Sequence, residues 1–209
     1  MGKRTRNIYY TADWHIGHDN VLRFDNRPFK NMSHMCESLI KRFNATVREE
    51  DVTYFVGDMG FGTDKMRSVI ERLNGTKILI LGNHDKKRQA MMNAGFDAVL
   101  HAASMYISGE LVTITHCPLR GVYREDTSDM NGSDGTESWH KEHKHIQFSI
   151  EDTGQFHLHG HIHSPNSGKS TKILGRQYDV GIPANNYLPV SISTIESWIV
   201  KTLRKEKYD

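Results

Sequence analysis

Val52-Thr53-Tyr54-Phe55-Val56-Gly57-Asp58-Met59-Gly60 is a β-branched and aromatic run that stops at a glycine and delivers one carboxylate at its end. Such a run reads as a buried strand of an α/β sheet, and ligand sites in open α/β sheets lie beyond the carboxyl ends of the strands. Asp58 is therefore the candidate hub of the chain. Four other segments end the same way. Ile8-Tyr-Tyr-Thr-Ala12 runs into Asp13-Trp14-His15, and Lys77-Ile-Leu-Ile-Leu81 runs into Gly82-Asn83-His84-Asp85. Leu111-Val-Thr-Ile-Thr115 runs into His116, and Phe156-His-Leu-His159 into Gly160-His161-Ile162-His163. Five strand ends rich in Asp, His and Asn exceed what chance endings supply, and such a set converges on something positively charged.

A chain of 209 residues, 37% hydrophobic and 25% charged, has ordinary globular composition and length for one sizeable core, so a single domain over 1–209 is expected. The net charge of +2 is too small to imply a nucleic-acid or membrane partner, which strong, clustered basicity would betray. Thirteen histidines, seven of them between His140 and His163, point to metal, because imidazole is the commonest metal ligand. Cys36 and Cys117 lack the CxxC spacing of a zinc or redox site, which suits a reduced compartment. Met-Gly-Lys-Arg-Thr-Arg at the N-terminus has no apolar h-region behind it and misses the myristoylation pattern at Arg6. No run approaches the ~20 apolar residues of a membrane span. A soluble, cytoplasmic protein with no membrane partner is expected.

Between the strand runs, residues 17–31 read as a polar loop near the site. Apolar spacing through Met35, Leu39, Ile40, Phe43 and Val47 predicts a helix from Met32, with Asn31 or Ser33 as cap. A shorter helix carries Met66, Val69, Ile70 and Leu73, capped by Thr63 or Asp64, and a third spans 86–93 before a strand at 98–100. The first half thus reads β-α-β-α-β-α-β. Hairpins follow around Ser108-Gly109-Glu110 and Gly175-Arg176, and a capping box at Ser193-Thr-Ile-Glu196 opens a last helix. Residues 121–148 read as a long polar surface excursion, anchored near the site at both ends and expected to select the substrate.

Asp, His and Asn donors offered from several strand ends can hold two divalent ions with one carboxylate between them, and mixed oxygen and imidazole ligands suit Mn, Fe, Ni or Zn. The order of the pieces is Asp-x-His, Gly-Asp, Gly-Asn-His-Asp, a lone His after a strand, then Gly-His-x-His. In that order the chain resembles the calcineurin-like metallophosphoesterases over about residues 7–195, most of all the small single-domain phosphoesterases of bacteria and their phages. The resemblance implies an α/β fold, a β-sandwich flanked by helices. It also implies roles: Asp13, His15 and His163 on one metal, Asn83, His116 and His161 on the other, Asp58 bridging, and His84 facing the phosphate as general acid, oriented by Asp85. Two ions about 4 Å apart can share a hydroxide that attacks in line, while an acid helps the leaving alkoxide depart. Manganese is the first expectation for the two ions.

The flanks of His116, Thr115 and Cys117-Pro118, and the segment with Pro183 and Ala184 depart from the family pattern. His18, Arg23 and Arg27 read either as exposed charges or as receivers of substrate phosphate, with His18 and Arg27 the substrate-binding candidates. His157 and His159 read as satisfied structural residues, Cys117 as packing, and His140, His143 and His145 as a solvated turn. The expected partner is a phosphate ester, nucleotides included. The alternatives are a metal-dependent nuclease of the same superfamily, disfavoured by the chain length, and a non-catalytic scaffold, disfavoured by retention of the whole ligand set.

Overall fold

The computed structural model describes residues 5–120, 148–165 and 172–208, and shows a mixed α/β fold built on two five-stranded sheets. The first sheet sets β1 (Ile8–Thr11), β2 (Val52–Val56), β3 (Thr76–Ile80) and β4 (Ala98–Leu100) in parallel and in chain order. α1 (Val21–Phe24) and α2 (Met32–Thr46) join β1 to β2, α3 (Thr63–Ile70) joins β2 to β3, and α4 (Arg88–Asn93) joins β3 to β4. The second sheet contains β5 (Ala103–Ile107), β6 (Glu110–Ile114), β7 (Phe156–His159), β8 (Ile173–Leu174) and β9 (Gln177–Asp179), in the order β5-β6-β7-β9-β8. Within it β6, β7 and β9 run parallel.

Period-two alternation explains the layering. Tyr9, Phe55 and Leu79 face Met35, Leu39 and Phe43 of α2, Met66 and Ile70 of α3 and Met91 of α4 in one core. Their chain neighbours Tyr10, Val56 and Ile80 face the other way. They share a second core with Val112, Ile114, Phe156, Leu158 and Tyr178 of the second sheet. The first sheet is therefore buried on both faces, as its nearly continuous apolar strands require. α5 (Ile192–Tyr208) adds Ile195, Trp198 and Ile199 to the inter-sheet core.

Several expectations are corrected. The 17–31 loop contains the short helix α1, and β10 (Val190–Ser191) extends the first sheet antiparallel to β1. Gly62, not Thr63 or Asp64, occupies the α3 cap, and Ser191 Oγ, not Ser193, accepts from Thr194 N at the start of α5. Asn31 caps α2 as expected, accepting from His34 N at 2.9 Å. The 121–148 excursion, with His140, His143 and His145, lies outside the described residues apart from Phe148. Among the described residues no helix is long and apolar enough to cross a membrane.

Candidate metal centre

The parallel strands of both sheets end together. Past β1 and β2 the chains stay zipped, Asp13 N donating to Gly57 O, His15 N to Asp58 O and Ile16 N to Met59 O. An Ala12–Gly181 bridge and a bond from Ile182 N to Ala12 O join the end of β1 to the segment after β9, across the two sheets. Here the backbone turns sharply. Asp13, His15, Asp58, His161 and His163 all have positive φ, between 46° and 72°. Left-handed backbone costs a non-glycine residue on the order of 1–3 kcal/mol, and its concentration at these side chains is the pattern of a functional site. Gly57 lets the turns approach: at φ +86°, a Cβ there would sit 2.3 Å from His116 Nδ1.

The donors meet at short range. His15 Nε2 lies 3.0 Å from His163 Nε2, and Asn83 Oδ1 lies 3.0 Å from both His116 Nε2 and His161 Nδ1. Asp58 Oδ2 faces His116 Nε2 at 3.3 Å and His15 Nε2 at 3.7 Å, while Asp13 Oδ1 is 3.5 Å from His163 Nε2. Ligands at about 2.1 Å from one ion and at right angles to each other are separated by about 3 Å, so the spacings suit coordination edges. Three overlapping groups are positioned to hold metal: Asp13, His15 and His163; Asp13, Asp58 and His116; and His116, Cys117 and His161. All seven residues expected as ligands are thus brought to one place. Cys117 joins them unexpectedly, yet its thiol is pushed up to about 12 by burial, then by Asp58 and Asp13, which opposes the thiolate that ligation uses.

Protons hold these groups together without metal. Burial alone would depress the His163 imidazolium, but Asp13 and then Asp25 overcome it and raise its pKa to about 10. Burial is likewise overcome at His116, where Asp58 raises the pKa to about 9. The partner carboxyls of Asp13 and Asp58 are held low against burial by His163 and His116 respectively. His15 goes the other way: burial lowers it to about 4, and its Nδ1 is buried without a hydrogen-bond partner among the described residues.

Outer groups aim the ligands. His116 Nδ1 faces Val56 O at 2.9 Å and His163 Nδ1 faces Asp25 at 2.9–3.0 Å, which turns each Nε2 inward as metal-binding imidazoles require. Asp25 escaped the sequence reading; its signal was a carboxylate in the flagged loop, two residues before Arg27. Arg27 itself is a correction. It is 4% exposed, and its guanidinium donates to Asp13 O at 2.9 Å, Trp14 O at 3.1 Å and Asp25 Oδ2 at 2.7 Å. These bonds face inward, so Arg27 braces the Asp13 turn and offers substrate nothing. Asp85 is another correction: its carboxylate accepts from the backbone N–H groups of Asp58, Met59 and Gly82, which ties the β2 and β3 turns together instead of orienting the His84 ring. Burial, then Asp58, raises Asp85 to about 6.

His84 is the motif side chain that reaches outward, 46% exposed, with Nε2 4.0 Å from Asp58 Oδ2. Its backbone N–H holds Asp58 Oδ1 at 2.9 Å. His18 stands at the mouth, its ring 5.8 Å from that of His15. His157 is buried and bonded to Thr113, Thr115 and the Cys117 carbonyl, and His159 Nδ1 meets Gly160 O.

No protein-family model matches the chain. An uncharacterized protein of Methanocaldococcus jannaschii, MJ1445, is 43% identical over 84 residues, 39% of this chain and 48% of that protein, so the match spans about half of MJ1445. The Gene 66 protein of Mycobacterium phage D29 is 29% identical over 197 residues, covering 85% of this chain and 88% of that one. Among solved structures, the protein of unknown function AQ665 from Aquifex aeolicus superposes with a TM-score of 0.67 at 20% identity, covering 93% of this chain and all of that one, and so shares the fold. YfcE, a phosphoesterase from E. coli, reaches 0.37 at 12% identity over 85% of this chain and 79% of its own, which decides nothing about chemistry. The Gene 66 protein of Mycobacterium phage L5 is 30% identical over 198 residues, 85% of this chain and 87% of that one, and the chain belongs to the family of that protein.

Proposed function

We propose that the chain is a two-metal-dependent phosphoesterase, a single domain with a calcineurin-like sandwich. The observation that carries the reading is the position of Asp58 Oδ2, 3.7 Å from His15 Nε2 and 3.3 Å from His116 Nε2, imidazoles that follow strands of different sheets and belong to different donor sets. Asp13, His15 and His163 would hold one ion, Asn83, His116 and His161 the other, with Asp58 shared. Two sheets with a common core, helices on the far face of the first and parallel strand ends at the site support the sandwich reading. Two cysteines that stay unpaired suit a cytoplasmic setting.

Divalent ions, when bound, supply Lewis acidity toward the phosphoryl oxygens and acidify water at neutral pH; manganese, iron, nickel and zinc all suit these donors. The chain does the rest. Asp25 and Val56 O fix the ring orientations of His163 and His116, and Arg27 and Asp85 hold the turns that carry Asp13 and Asp58. His84, exposed beside Asp58, would give a proton to the departing alkoxide, a contribution of about 10²–10⁴ in rate.

Purified protein with Mn²⁺ should hydrolyse p-nitrophenyl phosphate or its bis-ester, lose the activity to a chelator and regain it with metal. Protein that binds two ions yet cleaves neither ester would sink the reading.

A further inference from the structure

Two large apolar rings stand exposed where the site opens. Phe24 is 66% and Phe61 37% exposed. Their rings touch the histidines of the site: Phe61 lies 5.7 Å from His84 and 5.2 Å from His18, and Phe24 6.3 Å from His18. The backbone beneath is fixed. Phe61 N donates to Ile16 O at 2.8 Å, directly after the Asp13–His15 ligand pair, and Phe24 follows in α1, whose first turn hangs on His18 O through Val21 N. The Arg23 guanidinium lies 5.5 Å from the centre of the Phe24 ring and adds positive charge at the outer edge.

We propose that Phe24, His18 and Phe61 form a stacking wall for a nucleobase, so that the substrate is a phosphate ester of a nucleoside. The inference rests on the phosphoesterase reading and deepens it. Exposed aromatic rings beside cationic charge are how proteins hold bases without reading their edges, because every base offers a π face and every nucleotide an anion. The side of the wall identifies the reacting half. Phe61 adjoins His84, the proposed proton donor, so the ring belongs to the leaving alcohol. In that hydrolysis the oxygen of water bonds to phosphorus while the phosphorus–oxygen bond to the nucleoside breaks with its electron pair. The nucleoside oxygen takes a proton from His84, and the proton shed by water restores it.

The test pairs substrates that differ only in the base. With Mn²⁺ present, kcat/KM is measured for AMP against ribose 5-phosphate, and for a short single-stranded oligonucleotide against its abasic analogue. The wild type should prefer the base-bearing member at least about tenfold in one pair, and that pair tells free nucleotide from polynucleotide. In Phe61→Ala and Phe61→Leu the preference should fall about tenfold, mainly through KM, whereas Phe61→Trp should keep it. Equal rates on both members of both pairs, or a preference that survives Phe61→Leu, overturns the wall. If no ester is cleaved by the two-ion protein, the phosphoesterase reading fails on its own. Calorimetry of AMP binding to wild type and Phe61→Leu then decides the wall, which requires at least about tenfold weaker binding in the variant.

Discussion

Asp58 is the residue on which both donor sets depend, because one carboxylate oxygen is pinned by His84 N while the other faces His15 and His116. Asp58→Asn keeps the volume and the backbone contact but removes the charge that two ions would share. It should fold, lose bound metal in elemental analysis and lose activity with it; two ions and near wild-type turnover would refute the shared role. His84→Ala removes no side-chain donor of either set, so metal content should persist while the rate falls by about 10²–10⁴. Esters with good leaving groups should suffer less, since they need no proton; equal loss on good and poor leaving groups would assign His84 to charge stabilisation. Asp25 acts one step back. Asp25→Ala should weaken binding of the ion that His163 would hold by about 10–100-fold, the usual effect of removing a carboxylate behind a metal-bound imidazole, with Asp25→Asn in between. A chelator competition titration reads this directly, and unchanged affinities in both variants would make the Asp25–His163 contact incidental.

At the scale of elements, the strands deliver the chemistry and the turns after them aim it. Five of the seven expected ligands sit at positive φ, and the strain is held by the zipped turns and by glycines that admit close contact. Gly82 is the sharpest case: a Cβ there would lie 2.3 Å from Asp58 Oδ1 and 2.6 Å from Asp58 N. Gly82→Ala should therefore push the Asp58 carboxylate out of place, lower Tm by several degrees as overpacking does, and lose the ions. Wild-type metal affinity in this variant would show that the turn can relax without cost. Much of this was legible. Each strand before an expected ligand is a short apolar run closed by Gly, Asp, His or Asn, so Asp13, Asp58, Asn83, His116, His161 and His163, which the structure brings together, announce themselves by position. What stayed hidden depends on contacts between distant segments. Arg27 is buried although arginine is usually exposed, because the loop folds back to the carbonyls of Asp13 and Trp14. The Asp85 carboxylate binds backbone N–H groups, which no sequence pattern displays. The α5 cap shifted two residues because β10 runs straight into the helix, leaving Ser191 nearest the free N–H.

For the whole molecule, the decisive fact is that the donors are split between the sheets: Asp13, His15, Asp58 and Asn83 follow strands of the first, and His116, His161 and His163 follow strands of the second. Whatever binds them also clamps the sheets together. Without metal the clamp is made of protons, in the pairs His163 with Asp13 and Asp25 and His116 with Asp58. Both imidazoles have folded pKa values above the unfolded 6.5, at about 10 and about 9. Between pH 6.5 and those values the native state holds more protons than the unfolded chain, so this stabilisation is complete below 6.5 and fades as pH rises to 9–10. Metal works in the opposite sense, since each ion must displace the proton on its imidazole and binds more tightly as pH rises. Scanning calorimetry from pH 6 to 9 should show two trends: the chelated protein loses Tm with rising pH through these pairs, and the increment on adding Mn²⁺ grows. At an ion concentration 100 times Kd one site adds about 2.7 kcal/mol, or about 5–10 °C for a chain of this size. An increment that stays flat across this range would mean that metal and protons do not compete for His116 and His163, and the assignment of those two residues as ligands would fall.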